Sequence, residues 1–410
     1  MSDREQTFVI VGAGLAGAKA AEALREAGFE GRVALIGEEA EHPYERPPLS
    51  KDYLRGEVER EKILVHDESF YRRHEIELIL DQAAVGLDAE RRELELAGGE
   101  RLAFDRLLLA TGASPRRLNV AGAELDGIHY LRDVGSSDAI HARLERGGKA
   151  VVIGAGWIGS EIAASARQLG VEVTVIESAS VPLERVLGAE VGAVYRDLHL
   201  AHGVEMLLGT GVEAFEGSGA VERVRTSDGR TVECDFAVVG IGVSPRTELA
   251  RAAGLAVDDG IVVDGSLQSS HPAIFAAGDV ARQRHPTLGP LRVEHWANAL
   301  HQGPVAARNM LGCGEPYDRV PYFFSDQYEV GMEYAGLARQ WDRVVFRGKP
   351  DSHEFIAFWL REGRLLAGMN FNVWDVNEQI QELVAKRPPV EPAALEDPGV
   401  ALGDLARNRA

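Results

Sequence analysis

The 410-residue sequence predicts an α/β fold with two Rossmann-like dinucleotide-binding domains and a C-terminal α+β domain. Two copies of a strand, glycine turn, helix and strand pattern support this prediction. A second repeated pattern, a strand followed by glycine and then by Ser-Pro-Arg, also supports it. The length also exceeds what one hydrophobic core usually supports. We expect a discontinuous first domain (1–114 and 245–320), a second domain (115–244) and a third (321–410).

The first copy of the pattern runs from Thr7 to Glu38 and reads TFVIVGAGLAGAKAAEALREAGFEGRVALIGE. Each glycine of its turn has its own role: Gly12 allows the tight turn, Gly14 lets the backbone approach a pyrophosphate, and Gly17 lets the helix lie close to the strand. Glu38 ends the second strand, where a carboxylate can accept hydrogen bonds from ribose hydroxyls. Strand, turn, helix and acid in this order predict a dinucleotide site.

The second copy, KAVVIGAGWIGSEIAASARQLGVEVTVIE, begins at residue 149. Gly154, Gly156 and Gly159 occupy its turn, and Glu177 ends the following strand. A carboxylate at this place favours NAD over NADP, because it binds the 2'-hydroxyl and repels a 2'-phosphate. No arginine follows in ESASVP to receive such a phosphate. One chain therefore contains two predicted dinucleotide sites.

A proline-dense loop, EAEHPYERPPLSKDYLRGE, follows the first copy and carries Arg46 and Lys51. The two prolines stiffen it, and Ser50 is well placed to cap a short helix that contains Lys51. The loop is predicted to belong to the first domain. A solvated surface loop is the simpler interpretation, but a rigid loop beside a nucleotide site can hold a cation against a phosphate or an electron-rich ring.

Four further residues are candidates with an open alternative. Thr111 and Gly112 end an apolar strand, where small residues let a dinucleotide pass closely, although a plain strand-to-linker turn explains them equally well. Asp279 ends another short strand, where it can bind a polyol hydroxyl or simply cap a helix. Glu161, early in the second glycine-turn helix, either favours the helix N-terminus or lies beside a redox-active ring.

Composition and charge exclude several classes of protein. The net charge of -20 disfavours nucleic acid and anionic membranes as partners, because the summed field repels phosphates. No stretch has the apolar length of a membrane span, and no signal peptide is recognisable, so we expect a soluble cytoplasmic protein. Only Cys234 and Cys313 are present, without CxxC spacing, and we expect no metal site and no dithiol centre.

Taken together, the motifs resemble those of the FAD-dependent NADH:ferredoxin reductases, of the putidaredoxin reductase and aromatic-ring dioxygenase type. The resemblance covers essentially the whole chain and rests on VGAGLAG, ERPPLSKDYL, LLLATG, VVIGAGWIGSE, GIGVSPRTELA, AAGDVA and FFSDQYE, in that order. It implies a glutathione-reductase-like plan with FAD in the first domain and NADH in the second. The implied FAD contacts are Ala16, Glu38, Arg46, Lys51, Ala84, Arg132, Asp279 and Trp296. The implied NADH contacts are Gly156, Ile158, Gly159, Glu161, Glu177 and Gly242.

The resemblance also implies where the electrons go. Disulfide reductases with this domain plan carry a CxxxxC pair just after the first glycine-turn motif, and the NADH peroxidase or oxidase group carries one cysteine there. In this chain the corresponding segment, YERPPLSK, contains no cysteine. Electrons must therefore leave to another protein, singly, to a transiently bound [2Fe-2S] ferredoxin that feeds an oxygenase. NADH is expected to pass a hydride to flavin N5, with Lys51 and Glu161 as the nearest side chains. Phe324 fills a position where some members have tryptophan.

Three alternatives remain at this point: an NADH oxidase that uses oxygen, a flavin- and NAD-dependent redox-sensing protein resembling apoptosis-inducing factor, and a membrane NADH dehydrogenase. The chain shows neither the basic targeting segments of the second nor the amphipathic anchor of the third. The protein is expected to be a monomer or a homodimer. An acidic ferredoxin needs a local basic patch for docking. The candidate residues are Arg72, Arg73, Arg308, Arg339, Lys386 and Arg387.

Overall fold

A computed structural model describes residues 5–406, which divide into two compact units. Unit 1 combines the described residues up to Arg46 with Glu59–Ser114 and Val243–Arg319. Unit 2 combines Pro47–Val58, Pro115–Gly242 and the described residues from Val320. The outer ends of the predicted domains, 1–4 and 407–410, lie outside the described residues.

The elements follow one another from β1 to β26 and from α1 to α10. The strands are β1 Thr7–Val11, β2 Arg32–Ile36, β3 Ile76–Ile79, β4 Ala84–Asp88, β5 Glu93–Leu96, β6 Arg101–Ala103, β7 Arg106–Leu109, β8 Ala113–Pro115, β9 Ile128–His129, β10 Lys149–Ile153, β11 Glu172–Glu177, β12 Glu205–Leu208, β13 Val212–Glu216, β14 Arg223–Thr226, β15 Thr231–Glu233, β16 Phe236–Val239, β17 Val243–Pro245, β18 Ile261–Val263, β19 Ile274–Ala276, β20 Ala281–His285, β21 Gly289–Arg292, β22 Tyr322–Gln327, β23 Val330–Gly336, β24 Arg343–Lys349, β25 Glu354–Arg361 and β26 Arg364–Phe371. The helices are α1 Leu15–Glu26, α2 Glu68–Arg73, α3 Val134–Leu144, α4 Trp157–Gln168, α5 Glu184–Ala201, α6 Glu248–Ala252, α7 Trp296–Met310, α8 Asn377–Lys386, α9 Pro392–Glu396 and α10 Leu402–Leu405, and 3₁₀ turns lie at Pro47–Ser50, Arg60–Lys62, Gly278–Val280 and Pro350–Ser352.

Unit 1 is built on a parallel sheet with the strand order β19-β7-β1-β2-β3. Its inner strands are apolar because parallel sheets are covered on both faces. Helix α1 packs closely on α7, where a Cβ on Gly303 would come within 2.2 Å of the carbonyl oxygen of Ala16. Unit 1 also contains the antiparallel sheet β4-β5-β6 and the mixed sheet β18-β20-β21, in which β18 pairs with β20 in parallel.

Unit 2 contains the second parallel sheet, with the order β12-β11-β10-β16-β9. The antiparallel sheet β22-β23-β26-β25-β24 belongs to the same unit. Its face carries the fully buried Trp359, whose indole N–H donates to the backbone oxygen of Leu187 on α5 at 3.0 Å. The C-terminal sheet and helix α5 therefore share a buried contact within one unit.

These sheets confirm the predicted fold class. The sequence also predicts a single strand at Thr231–Val239, but the structure divides it into β15 and β16, which belong to different sheets. Between them, the Asp235 carboxylate accepts the backbone N–H of Lys149 at 2.8 Å. The proline-rich tail from residue 386 onward is predicted to lie over the surface or against a neighbouring domain. Arg347 holds it by donating to the carbonyl oxygens of Ala394, Leu395 and Val400.

Candidate functional site

The first glycine turn leaves an opening at the start of α1. Gly12 has φ +114°, and a Cβ there would lie 2.1 Å from the carbonyl oxygen of Ala110. A Cβ on Gly17 would lie 2.0 Å from the Gly12 oxygen, so helix and strand require glycine at both places. Gly14 differs, since a Cβ there would have no atom within 4 Å and no side chain caps the helix that follows it.

The second turn repeats this arrangement in unit 2. Gly154 has φ +94°, and a Cβ on Gly159 would lie 2.0 Å from the Gly154 oxygen. Gly156 faces open space before α4, again without a side-chain cap. Each helix thus presents uncapped N–H groups to a free volume beside a glycine. The amides and the positive end of the helix dipole suit a diphosphate, so both turns fit a dinucleotide.

The acids at the end of the two glycine-turn motifs, Glu38 just after β2 and Glu177 as the last residue of β11, have different partners. Glu38 forms an ion pair with Arg246 at 2.5 Å. Glu177 accepts the backbone N–H of Ala155 at 2.6 Å and that of Ala179 at 2.8 Å. A carboxylate has about four lone-pair positions, so Glu177 keeps acceptor capacity for ribose hydroxyls while it ties down the glycine turn.

Arg46 and Asp279 both lie in unit 1. The Arg46 guanidinium donates to Glu39 at 2.9 Å. Burial lowers the pKa of Arg46, but the nearby Tyr44 and Glu39 outweigh burial, and the net pKa is raised, with Asp279 adding to the effect. Asp279 lies within the 3₁₀ turn that follows β19, whose N-cap is Ala277. Asp279 is therefore not a helix cap, and its predicted role as a polyol ligand stays a prediction.

The remaining predicted contacts lie where strands and helices begin or end. Thr111 donates to the carbonyl oxygen of Arg246 at 2.8 Å, and the Arg246 N–H donates to Gly112 at 3.0 Å, as a strand-to-linker turn requires. Trp296 begins α7. The others are Ala84 at the start of β4, Arg132 before α3, the half-exposed Ile158 on α4 and Gly242, which has φ +96°.

Lys51 and Glu161 form a buried ion pair in unit 2. The Lys51 ammonium lies 3.0 Å from a Glu161 carboxylate oxygen, and their side chains are only 10% and 6% exposed. Ser50 donates to the same oxygen at 2.5 Å, and Ser325 donates to the other oxygen at 2.7 Å. Glu161 lies in the second turn of α4 and binds these side chains, so the helix-dipole interpretation does not describe it. The Lys51 ammonium also lies 5.5 Å from the centre of the Phe324 ring.

The proline loop lies beside Glu161 because it packs against helices α3 and α4 of unit 2. Ser165 on α4 donates to the backbone oxygen of Ser50 at 2.7 Å, and Ser137 on α3 donates to that of Leu49 at 2.9 Å. The loop is predicted to lie in the first domain, but residues 47–58 group with the second glycine-turn unit. Ser50 caps no helix, since Lys51 occupies a turn and the Ser50 hydroxyl contacts Glu161.

Ser50 and Ser325 were not predicted as site residues. Serine is common on surfaces, and neither position belongs to a recognised phosphate or ribose motif. The sequence FFSDQ could have indicated Ser325. Successive side chains of a strand point to opposite faces of the sheet, so Ser325 shares a face with Phe323 and Gln327. Both of those side chains are buried, and so is Ser325.

Other site types are not found among residues 5–406. No group of three or more His, Cys, Asp or Glu residues is arranged to hold a metal ion there. No helix in the same range is long and apolar enough to cross a membrane. Cys234 is buried in a hydrophobic cluster, and burial raises the pKa of its thiol to about 12, whereas Cys313 is exposed.

The two glycine turns fit a protein that binds two dinucleotides. Residues 6–303 match the family described as pyridine nucleotide-disulphide oxidoreductase, and residues 322–406 match the reductase C-terminal domain. The chain belongs to this pyridine nucleotide-disulphide oxidoreductase family. It is a flavoprotein enzyme that uses FAD and NADH.

Several known proteins are similar along their whole length. Rhodocoxin reductase of Rhodococcus erythropolis is 38% identical, with 95% of this chain and 92% of that protein covered. The ferredoxin–NAD(+) reductase component of the anthranilate 1,2-dioxygenase system of Burkholderia cepacia is 39% identical, with 96% and 98% covered. The reductase in the crystal structure of the covalent putidaredoxin reductase–putidaredoxin complex is 37% identical, with a TM-score of 0.94 and 98% of each chain covered.

Substituting a glycine that faces open space should have a different effect from substituting one that packs against backbone. Gly14→Ala is expected to leave the fold intact, because its φ of -88° suits alanine, but its methyl group enters the volume assigned to the diphosphate. Its FAD content after purification should fall, while apoprotein circular dichroism stays normal. Gly12→Ala is the matched contrast, since it combines positive φ with a backbone clash and should reduce soluble yield. Full FAD retention in Gly14→Ala would contradict the assignment.

Buried His199 predicts a dependence of stability on pH. Burial lowers its pKa from 6.5 to about 4. Because the unfolded state then binds a proton that the folded state does not, stability is full above about pH 6.5 and falls as the pH drops toward about 4. In His199→Gln, the urea midpoint should fall less between pH 7.5 and pH 5 than in the wild type. His74→Gln, at an exposed histidine, is the control and should keep the wild-type slope.

Proposed function

We propose that this enzyme takes a hydride from NADH and passes single electrons to a [2Fe-2S] ferredoxin that feeds an oxygenase. The observation that carries the proposal is the buried Lys51–Glu161 pair, which is surrounded by Ser50, Ser325 and Phe324. Serine hydroxyls offer no acceptor for electrons, and both cysteines of the chain lie elsewhere in the sequence. The similar reductases of dioxygenase and putidaredoxin systems favour a ferredoxin as the acceptor.

The glycine turns supply binding in this proposal. The amides after Gly14 bind the FAD diphosphate, and those after Gly156 bind the NADH diphosphate. Glu38 and Glu177 accept ribose hydroxyls, with Arg246 and the turn amides holding each carboxylate in place. The further FAD residues are Ala16, Gly12, Gly17, Arg46, Ala84, Thr111, Gly112, Arg132, Asp279 and Trp296, and the further NADH residues are Gly154, Ile158, Gly159 and Gly242.

The Lys51–Glu161 pair supplies electrostatic positioning. Bound FAD supplies the chemistry that accepts a hydride and releases single electrons. Lys51 places a positive charge in a site with little water, where it stabilises negative charge more than it would at the surface. Glu161 holds the ammonium at 3.0 Å and limits its rotation, so the charge is fixed before the substrate binds. We propose that the enzyme acts in the cytoplasm, where its donor NADH is supplied.

Removing either member of the pair should slow hydride transfer. Lys51→Met keeps the aliphatic stem and removes the charge, and Glu161→Gln keeps the shape and removes the carboxylate. Each should lower the single-turnover rate of NADH oxidation on the order of a hundredfold, as loss of one preorganised electrostatic group typically does. Stopped-flow absorbance of the bound flavin measures this rate. Lys62→Met, at an exposed lysine, serves as the control, and an unchanged rate in Lys51→Met would rule out the assigned role.

The acceptor is tested by NADH-driven reduction of a panel of purified [2Fe-2S] ferredoxins, including any encoded beside this gene. One ferredoxin should be reduced much faster than oxygen is consumed. Its rate should fall steeply with ionic strength, whereas reduction of ferricyanide should not, because docking to a basic patch is screened by salt. Oxygen consumption that exceeds every ferredoxin rate would instead identify an oxidase.

The candidate docking residues differ in whether a carboxylate of the same chain already neutralises their charge. Arg308 makes two hydrogen bonds to Glu315, at 2.6 and 2.9 Å, and Lys386 pairs with Glu382 at 2.6 Å. Arg72 is exposed on α2, and none of the described residues supplies it with a carboxylate partner in an ion pair. Within the same ferredoxin assay, charge reversal at Arg72 is therefore the more informative variant, with Arg308→Glu as its comparison.

A further inference from the structure

A buried histidine lies on a hydrogen-bonded chain that ends at Glu161. His199, on α5, is only 1% exposed. Its Nδ1 lies 3.0 Å from the Tyr328 hydroxyl, and its Nε2 lies 3.0 Å from the Gln327 side-chain oxygen. The Gln327 amide nitrogen is 3.3 Å from the Ser325 hydroxyl, which is 2.7 Å from Glu161. All of these residues belong to unit 2.

The carboxylate of Glu161 sets the direction of the whole chain. A carboxylate only accepts, so the single hydroxyl hydrogen of Ser325 points to Glu161. Ser325 must then accept from Gln327, which turns the amide NH₂ toward the serine and the amide oxygen toward His199. His199 therefore carries its hydrogen on Nε2, and its Nδ1 accepts the hydroxyl hydrogen of Tyr328. Every donor in the chain points toward the Lys51–Glu161 pair.

The surroundings keep His199 neutral, as this direction requires. Burial, with a smaller contribution from the nearby His202, lowers its pKa to about 4, although the hydrogen bond to Gln327 partly opposes this shift. On the outer side, His202 stacks on the Tyr328 ring at 3.7 Å and contacts the Glu329 carboxylate at 3.1 Å. The chain thus runs from this partly exposed aromatic pair to a buried carboxylate.

We propose that His199 is a positioning residue that acts through Gln327 and Ser325 to orient the Glu161 carboxylate. This inference rests on the proposed role of Glu161 in hydride transfer. Ser325 holds one Glu161 oxygen, while Ser50 and Lys51 hold the other. Because His199 fixes the orientation of the Gln327 amide, it also determines whether the Ser325 hydroxyl is free to donate to Glu161.

The proposal predicts that Glu161→Gln changes the tautomer of His199. Lys51 only donates, so the new amide oxygen faces the ammonium and the new NH₂ faces Ser325. Ser325 then accepts from residue 161 and donates to Gln327. The Gln327 amide reverses, and its NH₂ donates to Nε2 of His199. The histidine hydrogen moves to Nδ1 and is donated to the Tyr328 oxygen.

Long-range ¹H–¹⁵N correlation spectra of deuterated, ¹⁵N-histidine-labelled holoenzyme measure this directly. The ring signals of His199 are assigned by their loss in His199→Gln. We expect the Nε2–H tautomer in the wild type, the Nδ1–H tautomer in Glu161→Gln, and no change in Val191→Ala, which removes buried volume on the same helix. The same tautomer in wild type and Glu161→Gln, or a cationic ring at neutral pH, would overturn the proposal.

A second measurement tests positioning, using the single-turnover oxidation of NADH. His199→Leu should slow it about tenfold. This is the effect expected when the hydrogen bond from Ser325 to the charged Glu161 is weakened. His199→Gln should restore the rate relative to His199→Leu, because its amide can donate to Gln327. Val191→Ala should lower thermal stability without changing the rate, which separates positioning from general destabilisation.

A double-mutant cycle tests whether His199 acts through Ser325. In a Ser325→Ala background, His199→Leu should have no further effect on the rate, whereas independent, multiplicative effects or a wild-type rate in His199→Leu would refute the proposal. None of these assays contains ferredoxin. A failed ferredoxin panel would therefore overturn the proposed acceptor alone. A normal rate in Glu161→Gln together with the tautomer change would overturn the role of Glu161 in hydride transfer.

Discussion

The buried carboxylate of Glu161 imposes the constraint on which unit 2 depends. A carboxylate removed from water costs several kcal/mol unless a cation and hydrogen-bond donors compensate for it. Its donors come from two separate parts of the sequence: Ser50 and Lys51 lie in the proline loop, and Ser325 lies in β22. The loop, α4 and the C-terminal sheet must therefore be packed correctly before Glu161 is stabilised, which explains why the loop packs on α3 and α4.

The two glycine turns show how one backbone design can serve two ligands. A Cβ on Gly17 or on Gly159 would lie equally close to the carbonyl oxygen of the first glycine of its own turn. Gly14 and Gly156 each face open space. The difference lies in the acids. Glu38 has a guanidinium partner and Glu177 has backbone amide partners, so the proposed ribose sites of two nearly identical turns differ in their surroundings.

Local physics explains which features could be predicted from the sequence. Glycines that need positive φ, strands buried on both faces and an acid at a strand end leave signals within some thirty residues, so the fold class and both turns were predictable. Ser50 and Ser325 were not, because their role depends on contacts with Glu161 across more than a hundred residues. The division of Thr231–Val239 was missed for the same reason, since β16 pairs with β10, which is distant in the sequence.

A histidine at position 199 can pass on the direction of the hydrogen-bonded chain. Like the Gln327 amide, it presents one donor and one acceptor to its neighbours, so its orientation depends on theirs. A neutral imidazole must donate from one nitrogen and accept at the other, and a hydroxyl has one hydrogen to give. With Tyr328 and Ser325 on either side of the His199–Gln327 pair, each orientation depends on the next. The negative charge of Glu161 then selects one of the two possible directions for all of them.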